Sequence, residues 1–396
     1  MNDKINGTAG RLYYEDSHIH EFNAVVTAVY DTNDGIAVTL DKTAFFPGGG
    51  GQNADTGYIG NVRVANVKER DGEILHFVSV PLNKGEKYFC SLDWEQRYRR
   101  MQNHSGEHIV SGISNALYGV ENVGFHMGDE CMTIDFDKEL TWDELMTVEK
   151  RANEAVREDI PVTASFPDSA ELAAMDYRSK LELTHDVRIV DIPGIDRCAC
   201  CAPHVYRTGE VGFIKILDSM RHRGGIRVTL VCGMDALDIV RIMQENVTAV
   251  SQMLSAKRDE CACAVDRVLA DTAKQKERIS EISMELVRMK AAAVAENEGN
   301  ICIFDNMLDD IALRELVNLL TEKCGKIAAA FSGSDETGYN YIIGSKSVDL
   351  RANAKAINAG IGGRGGGKSE MIQGRASFDR QRITEFFKND IISSGV

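Results

Sequence analysis

The sequence predicts an α+β protein built from four consecutive parts. Apolar side chains alternate with smaller or polar ones at residues 36–40, residues 236–295 contain neither glycine nor proline, and a glycine-rich run lies in the last part. Alternation indicates strands, and an unbroken helix-favouring stretch indicates a long helix. The predicted parts are a small β-barrel, a mixed α+β domain, a helical coiled-coil linker and an α/β glycine-rich domain, at residues 1–92, 93–234, 235–298 and 299–396.

The first part has the pattern of a small barrel. Residues 22–30 are rich in β-branched and aromatic side chains, and residues 36–40 alternate apolar with smaller or polar ones. Half-buried strands have both features. Asp-Gly pairs at residues 34–35 and 71–72 are turn signals. The glycine run at residues 47–52 follows a strand and is predicted to be an exposed loop.

The second part is predicted to mix helices with strands. Residues 99–117 and 142–158 have helical character. Thr141 is the predicted N-cap of the second helix, and Glu144, three residues later, completes a capping box. Two short strands are predicted on either side of a cysteine-rich loop, at residues 188–192 and 211–217.

The third part is predicted to be a long helix or a helical hairpin. Its apolar residues fall largely on a spacing of three and four, which forms a coiled-coil stripe. Lys257, Thr272 and Gln275 interrupt the stripe, so packing against the same chain or a partner is favoured over a perfect parallel coiled coil. The sequence permits a homodimer through this segment or through the C-terminal domain.

The last part is predicted to be a second α/β unit. An amphipathic helix at residues 309–323 lies between short buried strands, and a glycine run follows at residues 360–369. Residues 362–369 match the P-loop pattern, but the residues before them look helical, whereas a P-loop follows a buried strand. We therefore do not interpret this run as a nucleotide hydrolysis site. The glycine-rich backbone suits close approach to a phosphodiester chain.

Composition limits the class of protein and of ligand. The formal net charge of −15 argues against indiscriminate binding to nucleic acid. Residues 1–21 lack the apolar stretch of a signal peptide, and no uninterrupted apolar run is long enough to span a membrane. The ten cysteines are therefore expected to be reduced, and the expected compartment is the cytoplasm.

Basic residues nevertheless form three local clusters, two of them close to candidate sites, and such clusters favour a polyanionic ligand. The clusters are Arg97, Arg99 and Arg100; Arg221, Arg223 and Arg227; and Arg364, Lys368, Arg375, Arg380 and Arg382.

Two pairs of metal-ligand residues lie about a hundred positions apart. His104 and His108 are one helical turn apart, and His204 follows a cluster of cysteines. Three imidazoles and a thiolate suit Zn²⁺. Spacing alone does not choose the thiolate, which can come from Cys198, Cys200 or Cys201. Glu107 lies about a quarter-turn from the ligand face and is predicted to be a solvated side chain.

Four motifs, in the same order along the chain, carry a resemblance to a known family. They are TAFFPGGGGQNADTG at residues 43–57, MQNHSGEH at residues 101–108, CCAPHV at residues 200–205 followed by TGEVG, and the glycine-rich tail with MIQG at residues 371–374. The chain resembles the long form of the alanyl-tRNA editing proteins, which are freestanding relatives of the editing half of alanyl-tRNA synthetase. The resemblance covers nearly the whole chain.

The resemblance implies a function and a ligand set. The expected activity is hydrolysis of the ester in mischarged alanine tRNA, Ser-tRNA(Ala) or Gly-tRNA(Ala), by a zinc-dependent carboxylic ester hydrolase. Residues 93–234 would be the zinc-binding editing domain, and residues 299–396 a domain like that associated with DHH-type phosphodiesterases. One Zn²⁺ per chain is expected, and the partner is tRNA. The implied metal ligands are His104, His108, Cys200 and His204.

Catalytic residues are not assigned from the sequence. The candidates for contact with substrate or tRNA are Gly49, Gly50, Gly51, Gln52, Arg221, Arg223, Arg364 and Lys368. A non-catalytic tRNA-binding accessory protein with a structural zinc is the alternative. A phosphodiesterase is disfavoured, because the Asp-His-His half of that family is absent and the pair His18 and His20 does not replace it.

Overall fold

The computed structural model describes residues 10–128, 130–179 and 187–388. Two compact units divide the chain, one ending at Val247 and the other beginning at Thr248. The fold class is mixed α+β, as predicted. The four-domain division is finer than these two units, and its boundaries stay a prediction.

A closed six-stranded barrel forms the N-terminal part of the first unit, which confirms the predicted barrel. Its strands are joined in the order β1-β2-β5-β4-β3-β6. They are β1 (Glu21–Thr32), β2 (Gly35–Leu40), β3 (Gly57–Ile59), β4 (Val62–Arg70), β5 (Glu73–Val78) and β6 (Lys87–Leu92), preceded by the short helix α1 (Leu12–Glu15). The Asp-Gly pairs lie in the β1–β2 and β4–β5 connections, as predicted. Apolar side chains from all six strands fill the interior.

His76 is a polar residue that lies completely buried in this barrel. Its Nδ1 lies 3.0 Å from the carbonyl oxygen of Val38 and its Nε2 lies 2.8 Å from Thr43 Oγ1. A carbonyl only accepts, so Nδ1 carries the proton and Nε2 accepts from the Thr43 hydroxyl. Burial lowers the pKa of His76 from 6.5 to about 4, against the opposing effect of the Val38 bond. The neutral ring is therefore the form that fits the barrel.

The stability of the first unit is expected to fall as the pH falls from 6.5 to 4. Below pH 6.5 His76 takes up a proton in the unfolded chain, while in the folded barrel its pKa is about 4. The stabilising contribution of neutral His76 is complete above pH 6.5. By pH 4 the free energy of unfolding has fallen by about 3 kcal/mol. Chemical unfolding followed by the fluorescence of Trp94 and Trp142 measures this loss.

The matched controls are His76→Gln, which should lack this part of the pH dependence, and His126→Gln, which replaces an exposed histidine and should keep it. A pH profile for His76→Gln that coincides with the wild-type profile would contradict the assignment.

The remainder of the first unit surrounds a long helix, α2 (Trp94–Tyr118), which ends at Gly119. A four-stranded sheet of order β12-β13-β8-β7 and a three-stranded sheet of order β11-β10-β9 accompany it. The strands are β7 (Asn122–Met127), β8 (Met132–Phe136), β9 (Thr163–Ser165), β10 (Ile189–Ile192), β11 (Asp196–Ala199), β12 (Ile214–His222) and β13 (Gly225–Cys232). The helices are α3 (Trp142–Glu158) and α4 (Ser169–Ala174).

Local sequence signals in this region mark one helix correctly and misplace the start of one strand. Helix α3 has the predicted bounds and the predicted capping box, in which Glu144 N donates to Thr141 Oγ1 and Thr141 N donates to Glu144 Oε2. The strand predicted at residues 211–217 begins later, because Thr208–Val211 forms a 3₁₀ turn before it.

The predicted helical segment is helical but broken. Helix α5 (Gly233–Leu254) is followed by Ser255 with a φ of 48°, a 3₁₀ turn at Arg258–Glu260 and helix α6 (Cys261–Ala293). Several stripe residues are solvent-exposed, among them Met253 and Ile279. The coiled coil therefore stays a prediction.

The second unit contains a five-stranded sheet of order β14-β15-β16-β18-β17, in which β14 pairs parallel with β15 and the other pairings are antiparallel. Its strands are β14 (Ile301–Phe304), β15 (Ala328–Ser334), β16 (Gly338–Gly344), β17 (Gly363–Gly367) and β18 (Met371–Ala376). Its helices are α7 (Asp310–Thr321), α8 (Leu350–Ile361) and α9 (Arg380–Lys388).

The glycine run forms strand β17, directly after helix α8 and antiparallel to β18. A P-loop needs the opposite order, a strand followed by a helix, so the sequence-based rejection of that motif is confirmed. In the part of the chain that the structure describes, no helix is long and apolar enough to cross a membrane.

Candidate metal centre and adjoining cavity

Two distant segments bring four potential metal ligands together. Helix α2 places His104 and His108 one turn apart on one face, and the loop after β11 supplies Cys200 and His204. All four side chains are buried, and their ligand atoms lie within 4.8 Å of one another. These are the four residues that the family resemblance implied as ligands.

The spacing of these atoms suits zinc. Tetrahedral Zn²⁺ with bonds of about 2.0 Å to nitrogen and about 2.3 Å to sulfur separates neighbouring nitrogen and sulfur ligands by about 3.5 Å. Cys200 Sγ lies 3.5 Å from His104 Nε2 and 3.4 Å from His204 Nε2. The donor types and their distances therefore fit this ion.

Each of the three imidazoles is held by a separate partner at Nδ1. Gln52 Oε1 lies 3.0 Å from His104 Nδ1, Asp196 Oδ2 lies 2.8 Å from His108 Nδ1, and Ser105 Oγ lies 3.0 Å from His204 Nδ1. Metal-binding histidines are oriented in this way, because the outer hydrogen bond selects the tautomer and directs Nε2 inward. The partners come from a barrel loop, from β11 and from α2.

Asp196 is itself fixed by a cation. Arg178 donates two hydrogen bonds to its carboxylate, of 2.7 and 2.8 Å. A second arginine, Arg188, donates to the carbonyl oxygens of Cys200 and Ala202 and thereby supports the loop that carries the thiol. Both guanidinium groups are therefore engaged in holding the ligand residues.

The electrostatics of the cluster favour the metal-binding protonation state at Cys200 and His204, and the protonated ring at His108. Burial opposes ionisation of Cys200, but His104 and His204 outweigh it, so the pKa of this thiol lies well below 9.0. Burial lowers the pKa of His204 to about 3, which keeps this ring neutral. Burial also disfavours the charged form of His108, yet the Glu107 and Asp196 carboxylates raise its pKa well above 6.5. A metal ion competes with a proton at such a site.

The glycine loop of the barrel closes over this cluster. Gly50 has a φ of 60°, and a Cβ added there would lie 3.7 Å from both His104 Cε1 and Cys200 Sγ. Gly51 has a φ of 85°, and a Cβ there would lie 2.4 Å from the ring of Phe125. The prediction of an exposed loop is wrong for Gln52, which is buried behind His104.

A cavity of about 590 Å³ adjoins the ligand atoms. Its size lies within the range of small-molecule sites in proteins, about 300–1,000 Å³. Aromatic and basic side chains line it together with His104, His108 and Cys200. The lining also includes Gly50, Gly51, Glu107, Tyr14, Phe125, Phe166, Arg178, Arg188, Cys198 and Cys201. The cavity can therefore receive a small organic group beside the four donors.

The prediction of a solvated Glu107 is wrong. This residue is 4% exposed and lines the cavity. Helix α2 is buried continuously from Met101 to Ser114, so a side chain a quarter-turn from the ligand face still points into the protein. The helix has no solvated face there.

The prediction of an accessible basic cluster beside the histidines is wrong for Arg97. Arg97 is 1% exposed and forms a buried ion pair with Asp55. Arg99 pairs with Asp235, which leaves a smaller net charge in this region. Burial therefore removes the charge of Arg97 from the set available to a polyanion, whereas Arg99 stays exposed.

The other predicted contact residues lie elsewhere. Arg221, at the end of β12, pairs with Glu139, and Arg223 lies in the β12–β13 turn. Neither belongs to the described lining of the cavity. In the second unit, Arg364 lies on β17 and Lys368 lines a separate cavity of about 1,060 Å³ with Arg314 and Lys346.

Several important residues carry no signal in the sequence. Ser105, Asp196 and Arg178 act through contacts between separate segments, and no spacing rule points to them. Asp196 lies four residues before Cys200, which is the single local hint.

Three domain models match the chain. The tRNA synthetases class II (A) model matches residues 6–96, the threonyl and alanyl tRNA synthetase second additional domain matches residues 187–228, and the DHHA1 domain matches residues 291–390. These matches lie in the barrel, in the segment with Cys200 and His204, and in the second unit.

Individual relatives extend this similarity. Alanyl-tRNA editing protein AlaX-L of Pyrococcus horikoshii is 28% identical, over 94% of this chain and 96% of its own length. Alanyl-tRNA editing protein Aarsd1-A of Xenopus laevis is 28% identical, over 92% and 90%. The alanine–tRNA ligase of Methanoregula boonei is 32% identical over 92% of this chain, but the match spans 41% of the ligase.

Proposed function

This chain belongs to the alanyl-tRNA editing proteins, and from that premise we propose that it hydrolyses the ester of mischarged alanine tRNA, Ser-tRNA(Ala) or Gly-tRNA(Ala), at a zinc site. Water would add to the ester carbonyl, the bond to the ribose oxygen would break, and free amino acid and tRNA would leave. The proposed metal ligands are His104, His108, Cys200 and His204.

The observation that carries this proposal is the cavity beside the four donors. Three imidazoles present Nε2 toward one thiol, each fixed by its own Nδ1 partner, and an open volume of about 590 Å³ adjoins them. A metal site used for packing alone has no need of such a cavity. Zn²⁺ in such a site supplies Lewis acidity toward an ester carbonyl.

The residues of the chain contribute binding, orientation and exclusion of water. Phe125 and Phe166 offer apolar walls, and the backbone at Gly50 and Gly51 allows close approach to the ligand residues. In the second unit, Arg364 and Lys368 are proposed to contact tRNA phosphates. The predicted domain limits, a cytoplasmic location and a homodimer through the helical segment or the C-terminal domain belong to the same proposal.

A second candidate function is a non-catalytic tRNA-binding protein with a structural zinc. It is favoured by the number of donors, because four protein ligands complete a tetrahedral shell and leave no open position. The two candidates differ in whether the attached amino acid is released.

Selectivity follows from the sizes of the amino acids. A pocket that accepts serine cannot exclude alanine by size, because alanine is smaller. It has to reward the seryl hydroxyl with a hydrogen bond that alanine does not make, whereas rejection of alanine in favour of glycine needs exclusion of a methyl group.

A deacylation time course tests the proposal. Zinc-loaded protein is mixed with alanine tRNA that carries serine, glycine or alanine, with and without a chelator. We expect chelator-sensitive loss of the seryl or glycyl ester, with the alanyl ester spared. Loss of every ester at the rate in buffer, together with tight tRNA binding, would favour the non-catalytic function.

A further inference from the structure

A buried carboxylate lies in the cavity beside the ligand atoms and has no role among the metal ligands. Glu107 is 4% exposed, and its Oε2 lies 3.7 Å from His108 Nε2. We propose that Glu107 binds the α-ammonium group of the aminoacyl ester and so determines how the substrate is positioned. This inference rests on the proposed function, because it assigns a residue to recognition of that substrate.

Charge balance in the cavity points to Glu107. An aminoacyl ester brings an ammonium group, and burial of this charge is costly without an anion or hydrogen-bond acceptors beside it. Among the described residues that line the cavity, Glu107 is the one carboxylate. The two arginines in the lining are cations and cannot bind an ammonium group. Arg178 pairs with Asp196, and Arg188 donates to carbonyl oxygens.

Neighbouring side chains hold the carboxylate in a fixed orientation. The Ser111 hydroxyl donates to Glu107 Oε1 at 2.7 Å, and the Asn122 amide donates to the same oxygen. Both donors bind the same oxygen, Oε1, and leave Oε2 for another partner. A preorganised acceptor of this kind binds a charged donor more strongly than a mobile side chain does.

The position of Oε2 also suits the reaction. In an aminoacyl ester the α-nitrogen and the carbonyl carbon are separated by about 2.5 Å, given the standard bond lengths and angle. An ammonium group on Glu107 Oε2 therefore keeps the ester carbonyl close to the ligand cluster, since Oε2 lies 3.7 Å from His108 Nε2. Glu107 acts here as a positioning residue.

The test compares Glu107→Gln with wild type on two esters of the same tRNA. One is seryl-tRNA, and the other is its α-hydroxy analogue, in which a hydroxyl replaces the ammonium. Glutamine keeps an oxygen for Ser111 and Asn122 but loses the charge. We expect kcat/KM to fall about 10–100-fold for the seryl ester, the range of a charged hydrogen bond, and less than about 3-fold for the analogue.

Glu95→Gln is the matched control, because it removes the same charge from an exposed position of helix α2. It should leave both rates and the zinc content unchanged. Zinc content of Glu107→Gln, measured by elemental analysis, should equal that of wild type. Calorimetry with a non-hydrolysable seryl amide of the terminal adenosine, and with its α-hydroxy counterpart, gives a readout independent of turnover.

Equal losses for both esters would overturn the inference, because they would indicate a role in ester cleavage or in structure. An unchanged rate on the seryl ester would overturn it as well. Wild-type protein inactive toward both esters would contradict the proposed function instead. Calorimetry would then decide the role of Glu107: weaker binding of the seryl amide alone supports it, and unchanged binding rejects it.

Discussion

Replacement of Cys200 by serine is expected to lower the zinc affinity by more than about 100-fold and to abolish deacylation. Loss of a partner outside the ligand shell costs about 10–100-fold in affinity, and loss of the only thiolate in the shell removes more. The reason lies in the geometry, since Cys200 Sγ lies within 3.5 Å of two imidazoles and has a pKa well below 9.0. Elemental analysis after dialysis, and competition with a chelator, measure the effect.

The neighbouring cysteines supply matched controls for that experiment. Cys198 and Cys201 also line the cavity, but neither belongs to the group of four donors. Burial raises the pKa of each thiol to about 11, so both stay protonated at neutral pH. Cys198→Ser and Cys201→Ser should therefore keep their zinc. Retention of zinc by Cys200→Ser, with loss of zinc from either control, would show that Cys200 is not the thiolate ligand.

The largest expected effect on stability comes from Asp55→Asn. Asp55 and Arg97 are each 1% exposed and form an ion pair between the barrel and the start of helix α2. Asp55 also accepts from Phe46 N at 2.8 Å, and Arg97 donates to the Ala44 carbonyl at 3.2 Å. Loss of one partner leaves a buried uncompensated charge, which costs about 3–5 kcal/mol. Chemical unfolding of the purified protein measures this free energy.

An exposed pair on the same barrel provides the comparison. Lys68 Nζ lies 2.8 Å from Asp34 Oδ2, and both side chains are at least half exposed. Asp34→Asn should leave the free energy of unfolding nearly unchanged, because solvent screens an exposed ion pair. The double variant Asp55→Asn with Arg97→Met should be more stable than the sum of the single losses indicates. Strict additivity would show that the two buried groups do not stabilise each other.

The elements of the fold were largely accessible to sequence analysis. The Asp-Gly turns, the Thr141 capping box and the 3–4 spacing after residue 235 are signals that act within a few residues, and each marks the element that the structure contains. The sequence does not reveal the break at Ser255, because no glycine or proline marks it.

The candidate site was accessible in part. Helical spacing placed His104 and His108 on one face, and the ligand types pointed to zinc. The sequence does not show that Glu107 is buried, because a helix considered alone has a solvated side, whereas the surroundings of α2 bury its whole circumference from Met101 to Ser114. The sequence does not show the burial of Arg97 either, because its charge is matched by Asp55, which lies in a separate segment of the chain.

The sequence by itself determined most of the secondary structure, the barrel, the residue types of the candidate metal site and the family. These depend on periodicity, caps and motifs whose physical causes are local. Only the tertiary structure decided which groups orient the three imidazoles and that Glu107 lies in the cavity. These features depend on contacts between segments about a hundred residues apart, whose geometry follows from the packing of the whole unit.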